Sequence, residues 1–168
     1  MPTKPINAYL IAGGVFHDTD FARLELLKLL AEHPDILVRV AENYSDTKAI
    51  AEADLLITYT CNVVPTPEQQ AFLKTYIGTG KRWFALHGTN SILDILEDGR
   101  VDTPESAPVF NEILGSTFIA HPPIRRFMVT PTNSKHPLIK NIDAFETEDE
   151  QYYIKTSSDV EVLLESPG

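Results

Sequence analysis

Apolar runs alternating with helix signatures over the first half of the chain restrict its fold more than any other feature. Asn7-Ala8-Tyr9-Leu10-Ile11-Ala12 is a mostly apolar run that ends at Gly13-Gly14, the form of a strand buried within a parallel sheet. Asp20 to Glu32 follows with Phe21, Leu24, Leu27 and Leu30 at helical spacing, and Thr19 or Asp18 stands where the N-cap belongs. Ile36 to Val40 reads as a second strand, Thr47 to Ala53 as a short helix and Asp54 to Tyr59 as a third strand. Thr66-Pro67-Glu68-Gln69 opens the next helix: threonine caps, proline takes the first turn and Gln69 completes a capping box. Gly78 and Gly80 close it,. Arg82 to Leu86 then reads as a fourth buried strand, running straight into His87-Gly88-Thr89.

The second half is less regular. Asp98 to Pro108 carries Gly99, Pro104 and Pro108 and reads as a loop able to cover a site,. Val109 to Leu114 is a short helix stopped by Gly115, while Arg126 to Thr130 and Glu161 to Glu165 read as strands around turn-rich sequence at Asn133 and Pro137. Repeated strand–helix units with right-handed crossovers predict an α/β fold with a doubly wound, mainly parallel sheet. Residues 1–168 are expected to form one domain,.

In such sheets ligands bind beyond the carboxyl ends of the strands. Three segments should share that edge: Gly13 to Asp18, Thr60-Cys61-Asn62, and His87 to Asn90. Two of the five histidines, His17 and His87, thereby fall on it; His121, before Pro122-Pro123, is a weaker third. The turn after the fourth strand has the layout of a nucleophile elbow, with His87 presented and Gly88 behind it. Imidazole there suits a general acid or base, or a metal ligand, rather than an acyl-transfer nucleophile.

Composition removes other classes. The formal charge is −10, from 14 Lys and Arg against 24 Asp and Glu, and no basic stripe exists to displace counterions from nucleic acid or to meet an anionic membrane. Cys61 is the only cysteine, so an intrachain disulfide is impossible, which fits a reducing, cytoplasmic setting. The apolar stretch Ala8 to Phe16 is interrupted by Gly13-Gly14 and reads as a strand rather than a signal peptide,. No segment is long enough to span a bilayer.

Six short motifs, in order, resemble those of the ThuA-like (trehalose utilisation) family. They are Gly13-Gly14-x-x-His17-Asp18, the Thr66-Pro67-Glu68-Gln69 helix start, Phe84-Ala85-Leu86-His87-Gly88, Leu114-Gly115-Ser116-x-Phe118-x-x-His121, Lys135-His136-Pro137-Leu138 and Asp149-Glu150-x-Tyr152. The resemblance covers nearly the whole chain. It implies a flavodoxin-like fold of the class I glutamine amidotransferase superfamily and a link to disaccharide or modified-sugar metabolism. The superfamily's catalytic cysteine is replaced by His87 at the elbow, so an active glutamine amidotransferase is not expected. Relatives continue past the Val160 to Leu164 strand into a glycine-rich strand and a further helix. This chain ends at Pro167-Gly168, so the resemblance implies a shortened member or a truncated one. An edge strand exposed in that way would favour a homo-oligomer.

Several residues carry two readings. His17 and His87 bind a divalent metal such as zinc with His121 or a carboxylate, or they are hydrogen-bonded residues lining a pocket. Asp18 orients His17 or caps the following helix. Asp149 and Glu150 supply acid and base for sugar chemistry, or form a solvated acidic turn; the resemblance favours Glu150. Tyr152 contacts a sugar or anchors the strand that follows. Gly14, Asn62, Gly88 and Thr89 complete the candidate substrate contacts. Cys61 reads as a small buried hydrophobe, Trp83 as core, and His136 as a turn or secondary-site residue. The Gly13-Gly14 turn lacks both GxGxxG and a P-loop lysine, so a nucleotide site is weakly supported. Two functions fit: an enzyme acting on a disaccharide or oxidised (keto) sugar by isomerisation or hydrolysis, with His87, His17 and Glu150 catalytic, or a non-catalytic carbohydrate-binding or regulatory domain.

Overall fold

Four of the strands foreseen from the apolar runs form one parallel sheet in the computed structural model, which describes residues 4–166. They are β1 (Ile6–Gly14), β2 (Ile36–Ala41), β3 (Leu55–Cys61) and β4 (Arg82–Leu86), in the spatial order β2-β1-β3-β4. β1 lies between partners, with Ile6 beside Ile36 on one side and Ala8 beside Leu55 on the other. That central place is why its residues from Ala8 to Gly13 are buried. Helices cover both faces: α1 (Thr19–Ala31) one, and α2 (Thr47–Glu52), α3 (Pro67–Gly78) and α4 (Pro108–Leu114) the other. Ala8, Leu10 and Ile57 pack with Leu26, Leu27 and Leu30 of α1. Tyr9, Ile11 and Leu56 pack with Ala49, Ile50, Leu73, Tyr76 and Phe110. Alternate strand residues thus feed two separate cores, as the pleat requires.

The helix starts follow their sequence signals. Asp18 caps α1, its carboxylate accepting from Phe21 N at 2.9 Å, and Thr66 with Gln69 forms the capping box of α3. β4 differs from the expectation of a buried strand: among the described strands only β3 pairs with it, and Phe84 is 54% exposed. An apolar run reports strand propensity but not lateral position in the sheet. The loop read over Asp98 to Pro108 includes a short strand, β6 (Val101–Asp102), which pairs with β5 (Asp94–Ile95) just before that loop in a small hairpin turned at Gly99.

The contacts divide the chain into two compact units, Met1–Leu114 and Gly115–Gly168. The second is antiparallel. β7 (Ser116–Ala120) pairs with β10 (Tyr153–Thr156), and β8 (Arg125–Pro131) lies between β9 (Phe145–Asp149) and β11 (Leu164–Glu165). Gln151, 1% exposed, is satisfied there: its amide oxygen accepts from the Arg125 guanidinium, and its amide nitrogen donates to Ser166. A buried polar group with this many partners fixes local geometry. Among the described residues, no helix is long and apolar enough to cross a membrane.

Candidate functional site

The carboxyl ends of β1, β3 and β4 are drawn together by backbone approach. Gly14 has φ +107°, and a Cβ there would sit 1.9 Å from the carbonyl oxygen of Cys61; only glycine fits. Val15 N then donates to that same oxygen at 3.1 Å. Just beyond stands Phe16, with φ 72°. Asn62 after β3 has φ 57°, and His87 after β4 has φ 47°. These are the non-glycine residues with left-handed backbone among those described, one in each of the three loops. Such a conformation costs roughly 1–2 kcal/mol per residue and persists where surroundings over-determine it.

The surroundings do so. Asn62 N donates to Ser91 O at 2.9 Å, and its side-chain oxygen accepts from Leu93 N at 2.9 Å. Beneath His87, the Thr89 hydroxyl lies 2.8 Å from Leu86 O and 3.1 Å from Thr58 Oγ1, which accepts in turn from Trp83 Nε1 at 2.9 Å. Deeper still, the buried Tyr44 hydroxyl meets Thr60 at 3.5 Å, and burial pushes that phenol well above its ordinary pKa. The turn therefore rests on a buried layer of hydroxyls with partners.

On this platform His17 and His87 meet, Nε2 to Nε2 at 2.8 Å, with rings perpendicular. The ring of Tyr59 stacks on His87 at 5.7 Å and meets His17 edge-on at 6.0 Å. His17 Nδ1 faces Val15 O at 3.4 Å. The two Nε2 atoms share one proton, and the tautomers of the two rings decide which of them carries it,. Gly88 leaves room for the approach, since a Cβ there would lie 3.4 Å from His17 Cε1 and 3.0 Å from Thr60 O. The donors suit a divalent ion that favours nitrogen. An imidazole held by a backbone carbonyl through its other nitrogen is the usual support for a ligating histidine.

The second unit has its own group. His121 Nε2 lies 3.7 Å from a Glu150 carboxylate oxygen, and His121 Nδ1 donates to Pro122 O at 2.8 Å. Tyr152 stacks on His121 at 5.8 Å and 18°, and Phe118 packs against both rings.

The family described as trehalose utilisation, ThuA, matches residues 9–167. The chain belongs to the ThuA family. No curated protein matches it. A ThuA-like protein of Bacteroides uniformis superposes with TM-score 0.73 at 21% identity, covering 98% of this chain and 69% of that one. A ThuA-like protein of Parabacteroides merdae gives 0.65 at 16%, covering 97% and 68%. A GMP synthase component from Thermoplasma acidophilum gives 0.58 at 10%, covering 98% and 75%. These likenesses agree with the α/β, glutamine amidotransferase-like fold expected from the sequence.

Within this ThuA-family chain, the structure brings together His17 and His87 in the first unit, and His121, Glu150 and Tyr152 in the second. Asp18 takes the capping role. Cys61 is buried, and Thr89, 2% exposed, holds the turn from inside. Asn62 likewise spends its side-chain oxygen on the backbone. Asp149 accepts from the backbone N–H of Glu150 at 2.8 Å, which separates the roles of the two neighbouring acids. His136 caps the short turn Pro137–Ile139. Sequence reasoning missed Tyr59 and Phe16. Tyr59 resembles any other strand residue because its contact with His87 is made across the β3–β4 pairing. Phe16 has no local signal beyond its place between Gly14 and His17.

Proposed function

We propose that this ThuA-family protein is an enzyme of sugar metabolism acting on a disaccharide or an oxidised (keto) sugar, by isomerisation or hydrolysis. The observation that carries this reading is the pair of Nε2 atoms of His17 and His87, 2.8 Å apart at the carboxyl edge of a parallel sheet. Two imidazoles sharing a proton form a relay: one takes a proton from a sugar carbon beside a carbonyl, or from a hydroxyl, and the other returns one to the neighbouring position. Isomerisation needs this two-way transfer, and the pair supplies it without a nucleophile.

Gly14 and Gly88 let the loops after the three strands close on one another beside the pair, since a Cβ at either would press on the backbone of Cys61 or Thr60. In the second unit, Glu150 is assigned to proton transfer, His121 to its support and Tyr152 to sugar contact. Where a divalent ion such as zinc binds, His17 and His87 are its nitrogen ligands. The ion then supplies polarisation of a carbonyl or hydroxyl oxygen.

The test follows a panel of disaccharides and their keto derivatives by NMR in deuterated water, with elemental analysis of the same protein. Exchange of a sugar C–H for deuterium, or a new sugar, is expected with the unaltered protein and not with His87→Ala. Equal turnover by the variant would sink the assignment of His87.

A further inference from the structure

Phe16 stands out among the exposed apolar side chains. It is 61% exposed, as is Phe21, yet Phe21 lies on the regular helix α1 while Phe16 has a left-handed backbone. The loop is fastened on both sides of it, by Val15 N to Cys61 O at 3.1 Å and Thr19 N to His17 O at 2.9 Å. Phe16 is therefore not a loose surface residue. A fixed backbone holds a large aromatic ring in water, next in sequence to His17, whose imidazole faces His87. Val15 beside it is also exposed. A bulky residue in this backbone conformation is an outlier, and such outliers cluster at ligand clamps.

We propose that Phe16 is a sugar-stacking and specificity-determining residue of the His17–His87 site, its ring taking the apolar C–H face of a pyranose. The assignment rests on the sugar-enzyme reading above. A pyranose has one face of axial C–H groups and a rim of hydroxyls, so an exposed aromatic ring next in sequence to an imidazole of the pair suits both parts. The ring fixes which face of the sugar lies down and thereby which carbon is offered to His17. A disaccharide, with a second ring to rest on Phe16 while the first reacts, should profit more than a monosaccharide.

The test is calorimetric titration of trehalose, maltose, cellobiose and glucose into the unaltered protein and into Phe16→Ala, Phe16→Gly and Phe16→Trp. Phe16→Ala and Phe16→Gly should each weaken trehalose binding about tenfold, and glucose binding less. Phe16→Trp should stay within about twofold of the original affinity, because indole offers a larger face. The thermal midpoint of Phe16→Gly should be no lower than that of the unaltered protein, since glycine accepts the left-handed backbone. Unchanged affinity in Phe16→Ala, or an equal loss in Phe16→Trp, overturns the assignment while leaving the sugar reading in place. If the unaltered protein binds neither trehalose nor maltose nor cellobiose, both fall together.

Discussion

In the first unit two imidazoles face each other, whereas in the second an imidazole faces a carboxylate and lies flat against a tyrosine. The first arrangement is built into the backbone. It requires a glycine pressed against a carbonyl, left-handed residues in three loops and a buried hydroxyl layer to hold them. The second uses side-chain contacts at the ends of strands, and His121, Glu150 and Tyr152 all keep φ out of the left-handed region. Strain accumulates where geometry matters more than stability, so the contrast marks the first unit as the place where position is most tightly specified.

The comparison can be broken most directly at His87. His87→Ala should lower turnover by roughly 10²–10⁴, the usual yield of general acid–base catalysis, while the urea midpoint moves little. If Glu150→Gln loses more turnover than His87→Ala, the ranking of the two units is reversed. Gly14→Ala should cost more than about 3 kcal/mol, because a Cβ would meet backbone at 1.9 Å and the residue has φ +107°,. A urea titration showing a loss below about 1 kcal/mol would mean that the loop relaxes freely, with little strain to hold.

Alkaline pH sharpens the picture of the first unit's core. Burial pushes the Tyr76 phenol up to about 12, and its hydroxyl donates to Ala53 O at 3.4 Å. The folded pKa is thus raised above that of the unfolded chain. The corresponding stability is complete below about pH 10 and is lost as pH rises from there through about 12. Tyr76→Phe should flatten that decline in unfolding measured from pH 9 to 12, and an unchanged slope would remove Tyr76 from the account. Smallest is His121→Gln. Its contact with the Glu150 carboxylate is partly exposed, so less than about 1 kcal/mol should be lost on urea unfolding. A larger loss would show that the second group is structural to the same degree as the first.

The first unit was legible because its sequence repeats one physical pattern. Ala8 to Ala12 and Leu55 to Ile57 are apolar since both faces of a central parallel strand are covered,. The caps at Asp18 and Thr66 announce helices in local code,. The carboxyl-edge rule then placed His17 and His87 on one side, although the 2.8 Å contact itself comes from the fold. The second unit resisted reading. Phe145-Glu146-Thr147-Glu148-Asp149 is a strand with three acids among five residues, and its pairing with Arg125 and Arg126 is long-range. Tyr153 to Thr156 and Ser116 to Ala120 are short and half-solvated, so neither shows an apolar alternation. The strand expected over Glu161 to Glu165 shrinks to Leu164–Glu165, the part that meets β8. Of the three left-handed residues, Phe16 had no signal at all, while Asn62 and His87 are of types enriched in that conformation but found far more often outside it.

The outer edge of β4 bears on how the protein behaves in a tube. Among the described strands that edge has no neighbour, and Phe84 lies beside it in water. Unpaired N–H and C=O groups there are a template for another copy's strand. Opposing this is the net charge of −10, whose reach shrinks from about 30 Å at 0.01 M salt to about 3 Å at 1 M. Light scattering against ionic strength checks this: association between copies is expected only in concentrated salt, and a size independent of salt would mean that the edge accepts no second copy.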